Sequence, residues 1–147
     1  MNLARFFSRK KENKKLEILS LLAIVTGFLA IVLPTLAAAS IWFDEAFSAY
    51  IIRYDFAKIW HFTSVDVHPP LYYFALNIWS LIFGSSDFAL RAMSVFFAVA
   101  TIWASFCLVK RIFGAKTAAI STAFLAISPM FVRYSQEIRM YTMVAFF

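Results

Sequence analysis

Long apolar stretches without a charged residue include residues 18–43, 92–109 and 117–132. Roughly 20 helical residues, rising 1.5 Å each, cross the hydrocarbon core of a membrane. The first stretch exceeds that length, and its Gly27 and Pro34 are tolerated in membrane helices. The third is near the lower limit, but Lys116 and Arg133 can extend their charges to the headgroups. The pattern predicts three membrane-spanning helices, helix 1 at 18–43, helix 2 at 91–109 and helix 3 at 117–132.

A fourth apolar segment, residues 71–83, is too short to cross in the same way. At 1.5 Å per residue it reaches only about 20 Å, against a hydrocarbon core of about 30 Å. A crossing here would also place Lys110, Arg111 and Lys116 outside, whereas loop cations favour the cytoplasmic side. Aromatic and charged residues mingle through residues 44–62, which is typical of helices lying in the membrane interface. We therefore expect residues 44–90 to form one external loop with interfacial helices.

The composition agrees with a membrane protein. Hydrophobic residues make up 63% of the 147 residues and the mean hydropathy is +0.77, whereas soluble domains are about 45–50% apolar. The predicted fold class is all-α, the N-terminal part of a polytopic transmembrane helix bundle. The chain stops a few residues into a further apolar run, which predicts a longer protein. Because Cys107 is the single cysteine, no internal disulfide is possible.

Positive charge is concentrated in the basic N-terminus, residues 1–17. Its cations are Arg5, Arg9, Lys10, Lys11, Lys14 and Lys15. Such a cluster beside an apolar run stays in the cytoplasm and contacts anionic membrane lipids. No recognition module follows it, so nucleic-acid binding is not indicated. A cleaved signal peptide is the alternative, because residues 37–39 are three alanines, but the later apolar segments favour a retained helix.

The resulting topology is a multi-pass protein of the plasma or inner membrane with a cytoplasmic N-terminus. Residues 44–90 and 133–141 form external loops, residues 110–116 form an inner loop, and helix 4 begins after residue 141.

Two adjacent acids, Asp44 and Glu45, follow helix 1 in an aromatic setting. Asp44 could cap the next helix, with Glu45 favouring its positive N-terminal dipole. A functional role is the alternative, because ionisable groups at a membrane boundary commonly mark sites. Adjacent helical residues point about 100° apart, so we expect the two acids to have different tasks.

Two further groups are candidates on the same side. Pro69 and Pro70 fix the conformation of His68 ahead of the next helix, although a lone histidine is often structural. In the second external loop, Glu137 and Arg139 lie close in sequence, and Glu137 has a structural ion pair as its alternative explanation.

The acid pair, the stretch "DVHPPLYY" and the stretch "ALRAMSVFFAVAT", in this order, resemble the start of GT-C glycosyltransferases. The resemblance is greatest to the branch of protein O-mannosyltransferases and aminoarabinose transferases, and covers residues 18–147. It implies a polyprenyl-phosphate-linked sugar as donor, a lipid, glycan or protein acceptor, and an active site on the extracytoplasmic face.

The resemblance also implies roles for individual residues. Asp44 corresponds to the essential acid with Glu45 beside it, and His68 lies near the donor phosphate. Glu137 and Arg139 correspond to the polar groups of the second loop. Protein mannosyltransferases often have Ser-Arg where this chain has Ser135 followed by glutamine, which puts the acceptor class in doubt. The adjacent acids differ from the separated acids of metal-using oligosaccharyltransferases, so no metal or other cofactor is expected.

The chemistry fits these residues, because a carboxylate is a standard base for deprotonating an acceptor hydroxyl. A cation should face the departing lipid phosphate, and a single displacement would invert the anomeric centre. The rivals are a transporter or a non-enzymatic membrane subunit that uses the external acids as a binding site. A transporter usually holds its binding groups near the membrane midplane, whereas these acids lie at the helix ends, which favours the enzyme.

Overall fold

A computed structural model describes residues 3–65 and 69–147, with side chains from residue 14 onward. All regular structure in these residues is helical, which confirms the predicted all-α class. The helices are α1 Leu3–Val32, α2 Phe43–Ile51, α3 Phe56–Val65, α4 Pro70–Phe83, α5 Asp87–Phe113, α6 Ala115–Ile127, α7 Pro129–Tyr134 and α8 Tyr141–Phe146, with a 3₁₀ turn at Leu33–Thr35.

Two of the described helices are long and apolar enough to cross a membrane, at Lys14–Thr35 and Asp87–Phe113. They are antiparallel neighbours. At one end the guanidinium of Arg91 binds the Leu36 carbonyl, and at the other the ammonium of Lys110 pairs with Glu17. The two membrane helices therefore have one end built from residues 36–45 and 135–139, and an opposite end built from the basic residues.

Helix α1 ends earlier than predicted, at Val32 rather than at residue 43. The cause is Pro34, which lacks a backbone N–H and clashes with the preceding turn of an α-helix. The chain continues through the 3₁₀ turn and a non-helical segment to Trp42. The carbonyls of residues 36–40 are thereby left for other donors, which matters for the site described below.

The predicted helix 3 is divided in two. Pro129 disfavours a helical conformation for the preceding residue, and Ser128 is extended with ψ 125° between α6 and α7. Helix α5 is longer than predicted, beginning after Ser86, whose side chain accepts a hydrogen bond from the Ala89 N–H. It ends at Gly114, whose φ of +87° suits glycine at a helix C-terminus, so that α6 folds back along α5.

Between the membrane helices, the predicted loop contains α2, α3 and α4, which share a buried core with the first turns of α5. The members of that core include Ile51, Ile59, Tyr73, Leu76, Leu90 and Met93. Side chains fix the packing: Asn77 donates to the Ile52 carbonyl at 2.6 Å, and the Trp79 indole donates to the Ala89 carbonyl at 2.8 Å. The described residues of this loop thus form a packed cap at one end of the two long helices.

Candidate active site

The two acids lie in the first turn of α2, where the helix dipole favours negative charge. The N-cap is Trp42, whose side chain makes no capping hydrogen bond. Glu45, at the third helical position, instead receives a hydrogen bond from the Trp42 N–H at 3.4 Å. The capping role considered for Asp44 is thus filled, in part, by Glu45.

Glu45 is buried and forms a bidentate ion pair with Arg91 of α5. Its Oε1 accepts from Nε at 3.0 Å and its Oε2 from Nη2 at 2.8 Å, with both side chains 3% exposed or less. The Ile138 N–H of the second loop donates to the same Oε1 at 2.9 Å. One carboxylate therefore joins α2, α5 and the second loop.

The remaining donors of Arg91 bind the non-helical segment that follows α1. Nη1 donates to the carbonyls of Leu36 at 2.9 Å and Ala39 at 2.8 Å, and Nη2 donates to that of Ser40 at 3.4 Å. A guanidinium has five N–H donors, and all five of Arg91 are used by this segment and Glu45. Arg91 therefore holds the first loop in place and has no donor left for a ligand.

Arg91 was not among the residues predicted for the site. It stands at the first position of the predicted helix 2, immediately before an apolar run. The signal that could have identified Arg91 is its position as a charged residue at the start of an otherwise apolar helix. An ionisable group within a membrane helix usually has a buried partner or a function.

Asp44 has a different environment from its neighbour, as the 100° rotation between adjacent helical residues predicts. Its side chain is 37% exposed, and its Oδ2 lies 3.8 Å from Nη2 of Arg139. The Arg139 side chain is mostly buried and its guanidinium also lies 5.9 Å from the Tyr141 ring. The structure thus brings Asp44, Glu45 and Arg139 together from two separate loops.

Glu137 belongs to a neighbouring pocket instead. Its Oε1 accepts from Nε of the exposed Arg133 at 3.4 Å, and its backbone carbonyl accepts from the Ser94 hydroxyl at 2.6 Å. It lines a pocket of about 550 Å³ together with Glu45 and Arg91, and Asp44 and Arg139 are not among the described residues that line it. His68 lies outside the described residues.

Tyr72 of α4 is a buried phenol close to this site. Burial raises the pKa of its hydroxyl well above the ordinary value, and the nearby charge of Arg139 opposes that change only in part. Tyr72 is therefore neutral at physiological pH.

Two loops bring a buried acid and a partly exposed acid to one end of two long apolar helices, which defines a class of helical membrane protein with a polar site at one end of its helices. The family model described as dolichyl-phosphate-mannose-protein mannosyltransferase matches residues 67–147, more than half of the chain, and the chain belongs to this family. This confirms the resemblance to GT-C glycosyltransferases and identifies a membrane glycosyltransferase of mannosyltransferase-like type. The match includes Arg91 and the second loop, and begins after the acid pair. No curated protein and no solved structure matches the chain.

Proposed function

We propose that the protein transfers a sugar from a polyprenyl-phosphate donor to a hydroxyl of an acceptor at the extracytoplasmic face of the membrane. The observation that carries this proposal is the position of Asp44, a partly exposed carboxylate 3.8 Å from the Arg139 guanidinium. A carboxylate that can act as a base and a cation that can stabilise a departing phosphate thus lie at one site, which is what attack by a hydroxyl and departure of a phosphate need.

Asp44 is the general base in this proposal, and Glu45 is a positioning residue. Glu45 is 1% exposed and its two oxygens already accept four hydrogen bonds, so it is poorly placed to receive a proton from an acceptor. Its ion pair with Arg91 instead fixes the turn of α2 that carries Asp44. Catalysis needs the reactive group to be held in a fixed position by its neighbours.

Arg139 stabilises the charge that develops on the departing phosphate, and His68, which directly precedes Pro69 and Pro70 in the sequence, assists it. Because the arginine is mostly buried, its interaction with an anion is stronger than that of an arginine in water. In a single displacement the acceptor hydroxyl attacks the anomeric carbon on the face opposite the phosphate, and the configuration is inverted. The sugar must therefore enter between Asp44 and Arg139 and separate them.

The proposed orientation places residues 36–45 and 135–139 outside and the basic end inside. Support comes from the cations at the second end, where Lys14, Lys15, Lys110, Arg111 and Lys116 gather around the ends of α1, α5 and α6. Cations of short loops favour the cytoplasmic side.

The test is a transfer assay with the intact protein in lipid vesicles. Radiolabelled mannose is supplied either as polyprenyl-phosphate mannose or as a nucleotide-linked mannose, and incorporation into lipid, glycan and peptide acceptors is measured. We expect incorporation from the lipid-linked donor alone, with inversion at the anomeric carbon. Transfer from the nucleotide donor, or retention of configuration, would contradict the proposal.

A further inference from the structure

The pocket beside Glu137 is better suited to the acceptor substrate than to the phosphate of the sugar donor. We call it the α1–α7 pocket, and the residues that define it here are Thr35, Leu36, Trp42, Val132, Gln136 and Glu137. It lies between the segment after α1 and helix α7. We infer that it binds a saccharide acceptor for the transfer reaction proposed above, on which this assignment rests.

The wall of the pocket is mostly apolar and carries a few polar side chains, among which Glu137 is an acceptor open to a ligand. The Glu137 carboxylate is 12% exposed, and its cationic neighbour Arg133 is 79% exposed and 3.4 Å away. Such an exposed pair is weak, because solvent screens it, and the carboxylate keeps capacity for ligand hydroxyls. Gln136 adds an amide at the same wall, where its Oε1 accepts from the Thr35 hydroxyl at 2.8 Å.

The pocket is poorly suited to a phosphate. Arg91 is the buried cation of its lining, but each of its five N–H donors already binds Glu45 or a backbone carbonyl. Arg133 stands at the rim in contact with water. An anion entering the pocket would meet the Glu137 charge without a buried donor to offset it. The donor phosphate therefore belongs on the Arg139 side, and a neutral ligand belongs here.

The aromatic wall and the size favour a sugar over a single peptide hydroxyl. Trp42 is 45% exposed and gives an apolar face with a polar edge, against which the C–H face of a pyranose can pack. The volume of about 550 Å³ is that of a site for a small molecule. Glu45 lines this pocket, whereas Asp44 and Arg139, which form the ion pair on the proposed donor side, are not among the described residues that line it.

Saturation-transfer NMR on the protein in nanodiscs tests the pocket directly, with N,N′-diacetylchitobiose and methyl α-mannopyranoside as saccharide probes and a capped Ala-Thr-Ala peptide as the alternative. We expect at least one saccharide to bind. Glu137→Gln should weaken that binding by about tenfold or more, since a hydrogen bond to a charged group is lost, and Trp42→Ala should do the same. Trp60→Ala and Asp55→Asn are matched controls on the α3 segment and should bind as wild type does.

Three results would overturn the inference: no saccharide binding by the wild type, equal binding by Glu137→Gln and Trp42→Ala, or binding of the peptide alone. A kinetic measurement separates acceptor from donor. Glu137→Gln should raise the KM for the acceptor and leave the KM for polyprenyl-phosphate mannose unchanged, and a raised donor KM would assign the pocket to the donor. Saccharide binding that persists without any transfer activity would refute the proposed function and leave the pocket intact.

Discussion

Glu45 and Arg91 are 46 residues apart in sequence, yet they form a two-pronged ion pair with N–O distances of 3.0 and 2.8 Å in a buried position. The pair connects the first loop to helix α5, and Glu45 also binds the second loop. The pair also holds the backbone after α1, because Arg91 donates to three of its carbonyls. The geometry of the site therefore depends on two residues that need not touch a substrate.

The first prediction concerns this pair. Glu45→Gln leaves the Arg91 charge buried without its partner, which typically costs about 3–5 kcal/mol of unfolding free energy. Arg91→Gln should cost a similar amount. In Glu45→Gln/Arg91→Gln no buried charge remains, so its cost should be well below the sum of the single costs. The measurement is unfolding in mixed micelles with increasing dodecyl sulfate.

The matched control is Arg133→Gln, which removes an exposed ion pair with Glu137 and should change stability by about 0–1 kcal/mol. If the double variant cost as much as the two single variants together, Glu45 and Arg91 would contribute independently. The connection described above would then not exist as a unit.

The sequence predicted the helical membrane class, and the family match and the two long apolar helices confirm it. It also predicted that Asp44 and Glu45 have different surroundings, since helical geometry alone separates neighbouring side chains. It failed at the end of helix 1, because proline is tolerated in some membrane helices and ends others. Which of the two occurs depends on whether another group donates hydrogen bonds to the freed carbonyls. Here Arg91 does, and that contact joins residues more than 50 positions apart.

The sequence predicted the site only in part. Charged residues in the loops can be identified from the sequence, whereas the partner of a buried acid is decided by packing between helices that are distant in sequence. Arg139 and Glu137 were both predicted for the second loop, but two positions on the chain separate the Asp44 side from the α1–α7 pocket. His68 lies outside the described residues, and its role near the donor phosphate stays a prediction.

The second prediction uses the buried Tyr72. Because burial raises its pKa, the folded state keeps this phenol neutral while the unfolded chain ionises it near the ordinary value of about 10. The unfolded state thus loses protons first, and the stability of the protein falls as the pH rises above about 10. Tyr72→Phe should remove that part of the alkaline destabilisation.

Phenolate absorbance at 295 nm measures this directly. In the folded protein, Tyr72→Phe should leave the tyrosine titration near pH 10 unchanged, since the raised pKa keeps the buried phenol neutral there. In denaturant the same variant should lose the signal of one of the six tyrosines. A reduced signal in the folded variant near pH 10 would mean that Tyr72 is reached by solvent.

The third prediction concerns orientation. In a Cys107→Ser background, single cysteines replace Ser85, Arg133 and Lys116, all of which are exposed. A membrane-impermeant maleimide should label positions 85 and 133 on intact cells or sealed vesicles, and position 116 only after permeabilisation, because cations of short loops favour the cytoplasmic side. Labelling of positions 85 and 133 from opposite faces would be incompatible with the hydrogen bond between Glu45 and the Ile138 N–H.

The last prediction concerns the base. Asp44→Asn preserves size and most hydrogen bonding while removing the ability to accept a proton. The fold should tolerate it, because Asp44 is not the N-cap and its contact with Arg139 is long and partly exposed. Loss of a general base typically lowers the rate by about 10²–10⁴, or roughly 3–5 kcal/mol in activation free energy. We therefore expect kcat to fall in this range with an unchanged unfolding midpoint.

Asp55→Asn is the matched control, since it makes the same chemical change on an exposed acid outside the site and should retain wild-type turnover. The assay is transfer from polyprenyl-phosphate mannose by the intact protein in vesicles, with initial rates measured across a range of pH. A base also predicts that the acidic limb of the wild-type pH profile disappears in Asp44→Asn, whereas a residue that only shapes the site would lower the rate equally at every pH. Turnover near that of the wild type, with its acidic limb intact, would show that Asp44 is not the base and that another group removes the acceptor proton.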